Sequence, residues 1–318
     1  MKKWILLAFL MAFGLVTAVS ASSILETQKV PKGDRHDMKE ILPPSSKWEK
    51  MAAGNEVKGR FMEGINFDDN GDIWMVSPPT KEILKVSGSG VETEYETSVE
   101  PVGAKFHKDG RLFTTNRSGE LKAYNPATGK NTVIVSEFDN ERLQPLNDLV
   151  FDEKNGIYFT EPGGSHATKP TGRVFYLSPD GELTLALDHI AYPNGIAISA
   201  DGQRVYVSEF ATNRIISVPS VTAKDKREVP FVFAHLEGGI GPDGLAVDEK
   251  GNLYVAHFQA GEIVVLDKDG FEIGTIRLPE KAGTFVTNLT FNNGYLYITE
   301  SSRNEVWRLK VVNGGKQE

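Results

Sequence analysis

The 318-residue chain contains no cysteine. That absence removes disulfides, thiolate metal sites, a cysteine nucleophile and a lipobox anchor together. Basic residues are nowhere massed: 35 Lys and Arg against 43 Asp and Glu give a net charge of −8, and the one short run, Lys224-Asp225-Lys226-Arg227, is broken by an aspartate. A nucleic-acid partner, which requires a basic face, is not expected. Long apolar runs are missing too. The single candidate, Trp4 to Val16, is shorter than the roughly 20 residues that span a bilayer. With Met1-Lys2-Lys3 before it and Val19-Ser20-Ala21 after it, it reads as a signal peptide over residues 1–21 and places the mature protein in the periplasm or outside the cell. An uncleaved anchor is the rival reading; after cleavage no stable membrane attachment is expected. A chain of about 300 residues can hold itself together without covalent bracing, because it buries roughly 75% of its unfolded surface.

What the sequence does contain is one phrase, repeated. Gly241-Pro242-Asp243-Gly244-Leu245-Ala246-Val247-Asp248 leads through a Glu249-Lys250-Gly251-Asn252 turn into Leu253-Tyr254-Val255-Ala256, an apolar strand, a turn and a second apolar strand. Echoes open at Glu63, Val102, Asn147, Asn194 and Asn288, so the six copies start 39 to 49 residues apart. A period in the forties with strand-like runs is the mark of propeller blades. The expected fold is all-β, a six-bladed β-propeller over residues 47–312, preceded by a loose polar leader at 22–46 and followed by a flexible tail at 313–318. The last copy lacks a fourth strand. A ring must close or leave an open edge, so the segment around Trp48-Ala52 is expected to supply it, joining both ends of the chain in one blade. Pro162 to Pro170 interrupts the third blade where a loop could act as a lid.

In a propeller the first strand of every blade lines the axis, so equivalent positions converge. The opening residues are Glu63, Val102, Asn147, Asn194, Asp243 and Asn288. Each polar one could merely cap a turn. The same register in several blades points instead to a shared use for side-chain oxygens beside an apolar core. Calcium, a hard cation taking 6 to 8 oxygen ligands, suits two carboxylates with amides; Mg2+, Mn2+ or Zn2+ are alternatives, although zinc more often draws histidine or cysteine. Asn116 and His257, at matching strand exits, are candidate contacts at the same mouth, with Asn147 and Asn288. His257 could carry a proton, and Asp148 could assist as a second base or simply bond its own backbone.

The set Phe61-Met62-Glu63-Gly64, Leu146-Asn147-Asp148-Leu149, Tyr192-Pro193-Asn194-Gly195 and Gly241-Pro242-Asp243-Gly244 resembles the gluconolactonase and senescence-marker-protein (regucalcin-like) family. The similarity runs through almost all of residues 60–310, including Tyr158-Phe159-Thr160-Glu161-Pro162. The resemblance implies a six-bladed propeller with one divalent metal, usually calcium, that hydrolyses sugar or related lactones. It implies Glu63, Asn194 and Asp243 as metal ligands, Asn147 beside them as ligand or substrate contact, and Asp243 as the catalytic carboxylate. Two departures stand out: Pro145 occupies the place where regucalcin-like members put a substrate-binding arginine, and Glu161 replaces a frequent aspartate.

The leading expectation is therefore an exported calcium-dependent lactonase acting on a small-molecule lactone, with the metal as Lewis acid and Asp243 as base. A non-catalytic, calcium-clamped propeller that binds a protein or carbohydrate is a second reading, and an esterase or phosphotriesterase on the same scaffold a third. A monomer is the expected state.

Overall fold

The computed structural model describes residues 38–54, 57–224 and 229–315. The expected signal peptide, most of the polar leader and the last three residues of the tail lie outside them. Among the described residues no helix is long and apolar enough to cross a membrane.

Blade one comprises β2 (Glu63–Phe67), β3 (Ile73–Ser77), β4 (Glu82–Ser87) and β5 (Gly90–Glu96), preceded in the chain by β1 (Glu49–Ala53). Blade two comprises β6 (Pro101–Phe106), β7 (Leu112–Asn116), β8 (Leu121–Asn125) and β9 (Lys130–Val135). A small hairpin, β10 (Glu137–Phe138) and β11 (Glu141–Arg142), then precedes blade three: β12 (Leu149–Phe151), β13 (Ile157–Glu161), β14 (Gly172–Leu177) and β15 (Leu183–Ile190). Blade four holds β16 (Pro193–Ile198), β17 (Arg204–Glu209), β18 (Arg214–Pro219) and β19 (Phe231–His235); blade five holds β20 (Gly241–Val247), β21 (Leu253–Phe258), β22 (Glu262–Leu266) and β23 (Glu272–Arg277). Blade six has three strands of its own, β24 (Val286–Asn292), β25 (Tyr295–Glu300) and β26 (Glu305–Lys310). Its fourth is β1, which pairs antiparallel with β26 in the register Glu49↔Arg308 to Ala53↔Glu305. The expected closure by both chain ends is what the fold uses. A single parallel bridge, Ala53↔Gly90, joins β1 to β5 as well, so blades one and six form one eight-stranded sheet.

The inner strands β2, β6, β12, β16, β20 and β24 neighbour one another around the ring, and β24 meets β2. Each blade is pressed between two others, which is why a second strand such as β3, β7 or β13 is buried along its whole length, apolar at its start and closing on buried polar residues in β7 and β13. The core is accordingly six slabs, one between each pair of blades. Blades three and four share Val150, Tyr158, Val174, Ile196, Val205 and Val207, and blades six and one share Ile65, Met75, Leu84, Tyr297 and Val306. Every such side chain contributes about 1.5–3 kcal/mol through burial. The outer strands carry exposed charge, as Glu92 and Glu94 do on β5, which keeps the free edges from pairing with other chains. Inner hairpins turn on aspartates: Asp152 Oδ1 accepts from Lys154 and Gly156 N–H, and Asp248 Oδ1 accepts from Lys250 and Asn252 N–H.

The leader and tail are more ordered in part than composition suggested. A 3-10 turn at Met38–Glu40 sets Ile41, 1% exposed, into the slab with Tyr254, Ile298 and Trp307. Val312 N–H donates to Ile41 O, Asn313 Nδ2 donates to Glu40 O, and Gly315 bridges to Asp248. The low-complexity look of 38–46 and 313–315 hid a few apolar and amide anchors that find partners on blades five and six.

Candidate active site

A cavity of about 310 Å³ opens at one mouth of the ring, lined by Glu63, Asn147, Asn194, Asp243 and Arg117 with Phe61, Pro78, Pro79, Val102, Tyr192, Phe210 and Phe258. Glu63 comes from the start of β2, Asn194 and Asp243 from β16 and β20, and Asn147 from the residue pair ahead of β12. Asn194 and Asp243 are each 6% exposed. Burial pushes the Glu63 carboxyl well above the usual carboxylate range, and the charges of Asp243 and Asp148 push it further, against a smaller pull from Arg117 and the Gly64 N–H. Asp243 is raised by burial and then by Asp148, while a hydrogen bond from the Asn194 side chain partly offsets this. Two like charges sharing a desolvated pocket are expensive when both ionise. A divalent cation relieves that cost, so the residues present fit one, with Glu63, Asn194 and Asp243 as holders and Asn147 beside them. Among the described residues no group of three carboxylate, imidazole or thiolate side chains gathers to hold a metal; the donor set is two carboxylates plus amides, which favours a hard cation over zinc.

The same cavity is lined by an aromatic arc. Ring centroids are 6.5 Å apart for Phe61 and Phe258, 6.0 Å for Phe210 and Phe258, and 5.6 Å for Tyr192 and Phe210. Tyr192 takes a positive φ of 61°, a conformation that persists only where surroundings impose it. Ser165 Oγ accepts its N–H and its carbonyl accepts from Phe210 N–H. Ser165 in turn donates to Ile190 O. The 162–170 loop is thus tied down as a brace behind Tyr192 and is not a wall of the cavity.

Residues 61–302 match the SMP-30/Gluconolactonase/LRE-like region family. The chain is a member of it. Among curated relatives, lactonase drp35 of Staphylococcus haemolyticus (strain JCSC1435) is 34% identical over 236 residues, covering 70% of this chain and 71% of that protein. Lactonase drp35 of Staphylococcus aureus (strain USA300) is 33% identical over the same length. Among solved structures, a gluconolactonase from Xanthomonas campestris superposes with a TM-score of 0.72 at 23% identity, over 86% of this chain and 92% of that one. The calcium-binding protein regucalcin from Agrobacterium tumefaciens str. C58 gives 0.69 at 20% identity, over 83% and 93%. At those identities the two structures show the shared fold.

Five of the six opening residues of this SMP-30/gluconolactonase member line the cavity: Glu63, Asn147, Asn194 and Asp243 as its polar part and Val102 as an apolar wall. Three other expected contacts do not. Asn288 is one place out of register, because Val286 pairs with Glu300 as Pro193 pairs with Glu209, which makes Thr287 the equivalent of Asn194. Asn288 instead accepts its neighbour Leu289 N–H, as Asp148 accepts Leu149 N–H. Asp148 is 4% exposed and also receives the Ile196 N–H at 3.4 Å, so it bonds backbone of blades three and four and does not line the cavity. Asn116, 1% exposed, accepts from Ser118 and Glu120 N–H and builds a turn. His257 is fully buried, with Nδ1 3.6 Å from Glu262, and burial lowers its pKa; it is not placed to exchange protons with a substrate. Asn116 and His257 do occupy matching strand exits, but side chains there point away from the cavity lining.

That register has a job of its own. Glu161 accepts Gln144 N–H at 2.7 Å, Glu209 accepts Ala191 N–H at 2.9 Å and Glu300 accepts Phe285 N–H at 3.0 Å. Each buried carboxylate therefore fixes the segment that leads into an inner strand, two or three residues ahead of its opening residue. Arg173 and Arg214 neutralise the first two. One residue earlier, hydroxyls reach into the next blade: Thr115 donates to Asn147 O, Thr160 to Asn194 O at 2.7 Å, and Ser208 to Asp243 O at 2.7 Å. Packing at the axis is so close that a Cβ on Gly195 would lie 2.1 Å from Asp243 O, and one on Gly244 2.8 Å from Asn288 Cα. Only glycine fits beside the ligand residues, which accounts for Gly following Glu63, Asn194 and Asp243.

Proposed function

We propose that this chain is an exported, calcium-dependent lactone hydrolase. The observation that carries the reading is the convergence of Glu63, half-buried, and Asp243, buried, from blades one and five, with Asn147 and Asn194 on one cavity beside an apolar wall. Membership of the SMP-30/gluconolactonase family and the lactonase names of its relatives supply the reaction class. The name of the regucalcin neighbour supports calcium, as does the all-oxygen donor set. The charged start, short apolar run and small-residue site at residues 1–21 support export.

Glu63, Asn194 and Asp243 hold the ion, and Asn147 either completes the set or contacts the substrate. When bound, calcium supplies Lewis acidity to the lactone carbonyl and to developing negative charge. Asp243 takes the proton from the attacking water as that oxygen adds to the carbonyl carbon. The Asn194 amide holds the carboxylate in one orientation. Ring opening breaks the single bond between the acyl carbon and the ring oxygen, and Asp243 returns the proton it took to that leaving oxygen, giving the hydroxy acid. The aromatic arc excludes water from the other side of the substrate and fits its apolar face.

Acid release from a panel of lactones, aryl esters and phosphotriesters, with and without chelator, tests the reading. Chelator-sensitive hydrolysis of lactones is expected. Tight calcium binding with no turnover would replace it with a structural ion, and turnover of phosphotriesters alone with a different hydrolase. Asp243→Asn is expected to lower kcat on lactones by about 10²–10⁴-fold, the contribution of a positioned general base. Cell fractionation with N-terminal sequencing of the mature protein, beginning at Ser22, tests export.

A further inference from the structure

The cavity has one cationic side chain in its wall, Arg117, and nothing in the mechanism above uses it. The turn that carries it is fixed rather than loose. Asn116 Oδ1 takes the Ser118 and Glu120 N–H groups, Asn116 O takes the Leu146 N–H at 3.0 Å, and Arg117 N–H donates to Glu100 O at 3.0 Å. The arginine of blade two is thereby locked against the segment of blade three that ends in Asn147.

Other arginines at blade ends are consumed by structure. Arg60 is buried and bonded to Glu82 through Nε and Nη2, Arg173 bonds Glu161 through two nitrogens, and Arg214 is joined to Glu209. Arg117 differs. Among the described residues its ion-pair partner is Glu100, through Nε at 3.1 Å, with 55% and 41% of the two side chains exposed. Such an open pair is worth about 0–1 kcal/mol, too little to explain a guanidinium at this place. Its side chain nevertheless lines the cavity together with Glu63 and Tyr192. Asp243 at 6% exposure is the floor and Arg117 the rim. A divalent cation on the floor would offset the two lining carboxylates and leave the guanidinium, held by its open pair with Glu100, as the cationic group of the wall.

We infer that Arg117 is a specificity-determining residue that binds an anionic oxygen substituent of the substrate, so the preferred lactone carries a carboxylate apart from the ring that opens. A planar guanidinium, with Nε engaged by Glu100, keeps further N–H donors that match a carboxylate in a two-point contact. The volume of about 310 Å³ admits a single small ring with one such substituent. This rests on the lactone hydrolase reading, which fixes the floor as the reacting end.

The test compares γ-butyrolactone with its γ-carboxylate derivative on the calcium-loaded protein, as wild type, Arg117→Met and Arg117→Lys. The wild type is expected to favour the anionic lactone at least tenfold in kcat/KM, through KM, with the preference shrinking as salt rises. Arg117→Met is expected to lower that ratio at least tenfold, and Arg117→Lys to restore part of it. An equal loss of kcat on both lactones would overturn the inference and make Arg117 part of the chemistry. A ratio near one in the wild type would overturn it while leaving the lactonase reading intact. Calorimetric titration of glutarate and of inorganic phosphate separates the two ideas completely. If no lactone is hydrolysed at all, tenfold weaker glutarate binding by Arg117→Met still supports the anion site, and equal binding sinks it. Stronger retention of phosphate than glutarate would overturn the carboxylate assignment.

Discussion

Asp243 does not hold its position by its own strand alone. Its carbonyl is taken by Ser208 of the preceding blade, Asn194's by Thr160 and Asn147's by Thr115, so three site residues hang from three hydroxyls one blade away. Removing such a donor leaves a buried carbonyl unpaired, at a cost of about 1–3 kcal/mol. Ser208→Ala is therefore expected to lower Tm by several degrees and to weaken calcium affinity together, read by thermal unfolding and by calcium titration of the same sample. A fall in Tm with unchanged affinity would confine the hydroxyl to fold maintenance. At this scale the sequence was legible wherever the repeat was complete. Glu63, Asn147, Asn194 and Asp243 each stand four residues before a closing apolar side chain, whereas Asn288 stands three before Phe291, and that missing place shifted Thr287 out of view. Arg117 escaped because turn residues carry no period; its signal was only the neighbour of an asparagine that was itself expected at the mouth.

Between strands, the ties are ionic as well as hydroxylic. Arg60, just ahead of β2, bonds Glu82 at the head of β4 and also Val91 O and Thr93. Burial alone would raise the Glu82 carboxyl, but hydrogen bonds from Arg60, Thr80 and Thr93 outweigh it and bring the pKa from 4.5 to about 2. The folded state thus binds that proton less readily than the unfolded chain. The stability it gives is present above the ordinary carboxylate value and lost as the pH falls toward the folded one. Glu82→Gln should destabilise the protein most at about pH 7, with the gap to wild type closing between about pH 4.5 and 2; chemical denaturation across that range measures it. A gap independent of pH would mean that shape, not charge, is what Gln fails to supply. The recurring pairs Thr115-Asn116, Thr160-Glu161, Ser208-Glu209 and Thr299-Glu300 were visible in the sequence as strand ends. Their purpose was not, because a hydroxyl's partner in the next blade is fixed by the ring and not by spacing along the chain.

The ring itself is sealed by a strand from the far end of the chain. β1 completes blade six, and its pairing with β26 is reinforced by Lys50 to Glu305 at 3.0 Å and Arg308 to Glu49 at 2.6 Å. Upstream of it, Ile41 and Trp48 enter the slab between blades five and six, with Trp48 Nε1 donating to Arg277 O. Because β24 is an inner strand beside both β2 and β20, loosening blade six would free the seam between Glu63 and Asp243. A chain beginning at Gly54 loses the strand and those apolar anchors at once. Such burial is worth about 1.5–3 kcal/mol for each large side chain, so Tm should fall by about 10 °C or more. Calcium affinity should fall with it, if Glu63 of blade one and Asp243 of blade five hold the ion as proposed, since blade six lies between their strands and both line the one cavity. A synthetic peptide of residues 38–53 supplied in trans is expected to recover both, by adding a strand to the exposed edge of β26. Recovery of Tm without calcium affinity would show that the seam and the ion site are independent, and that the ring closes for stability alone.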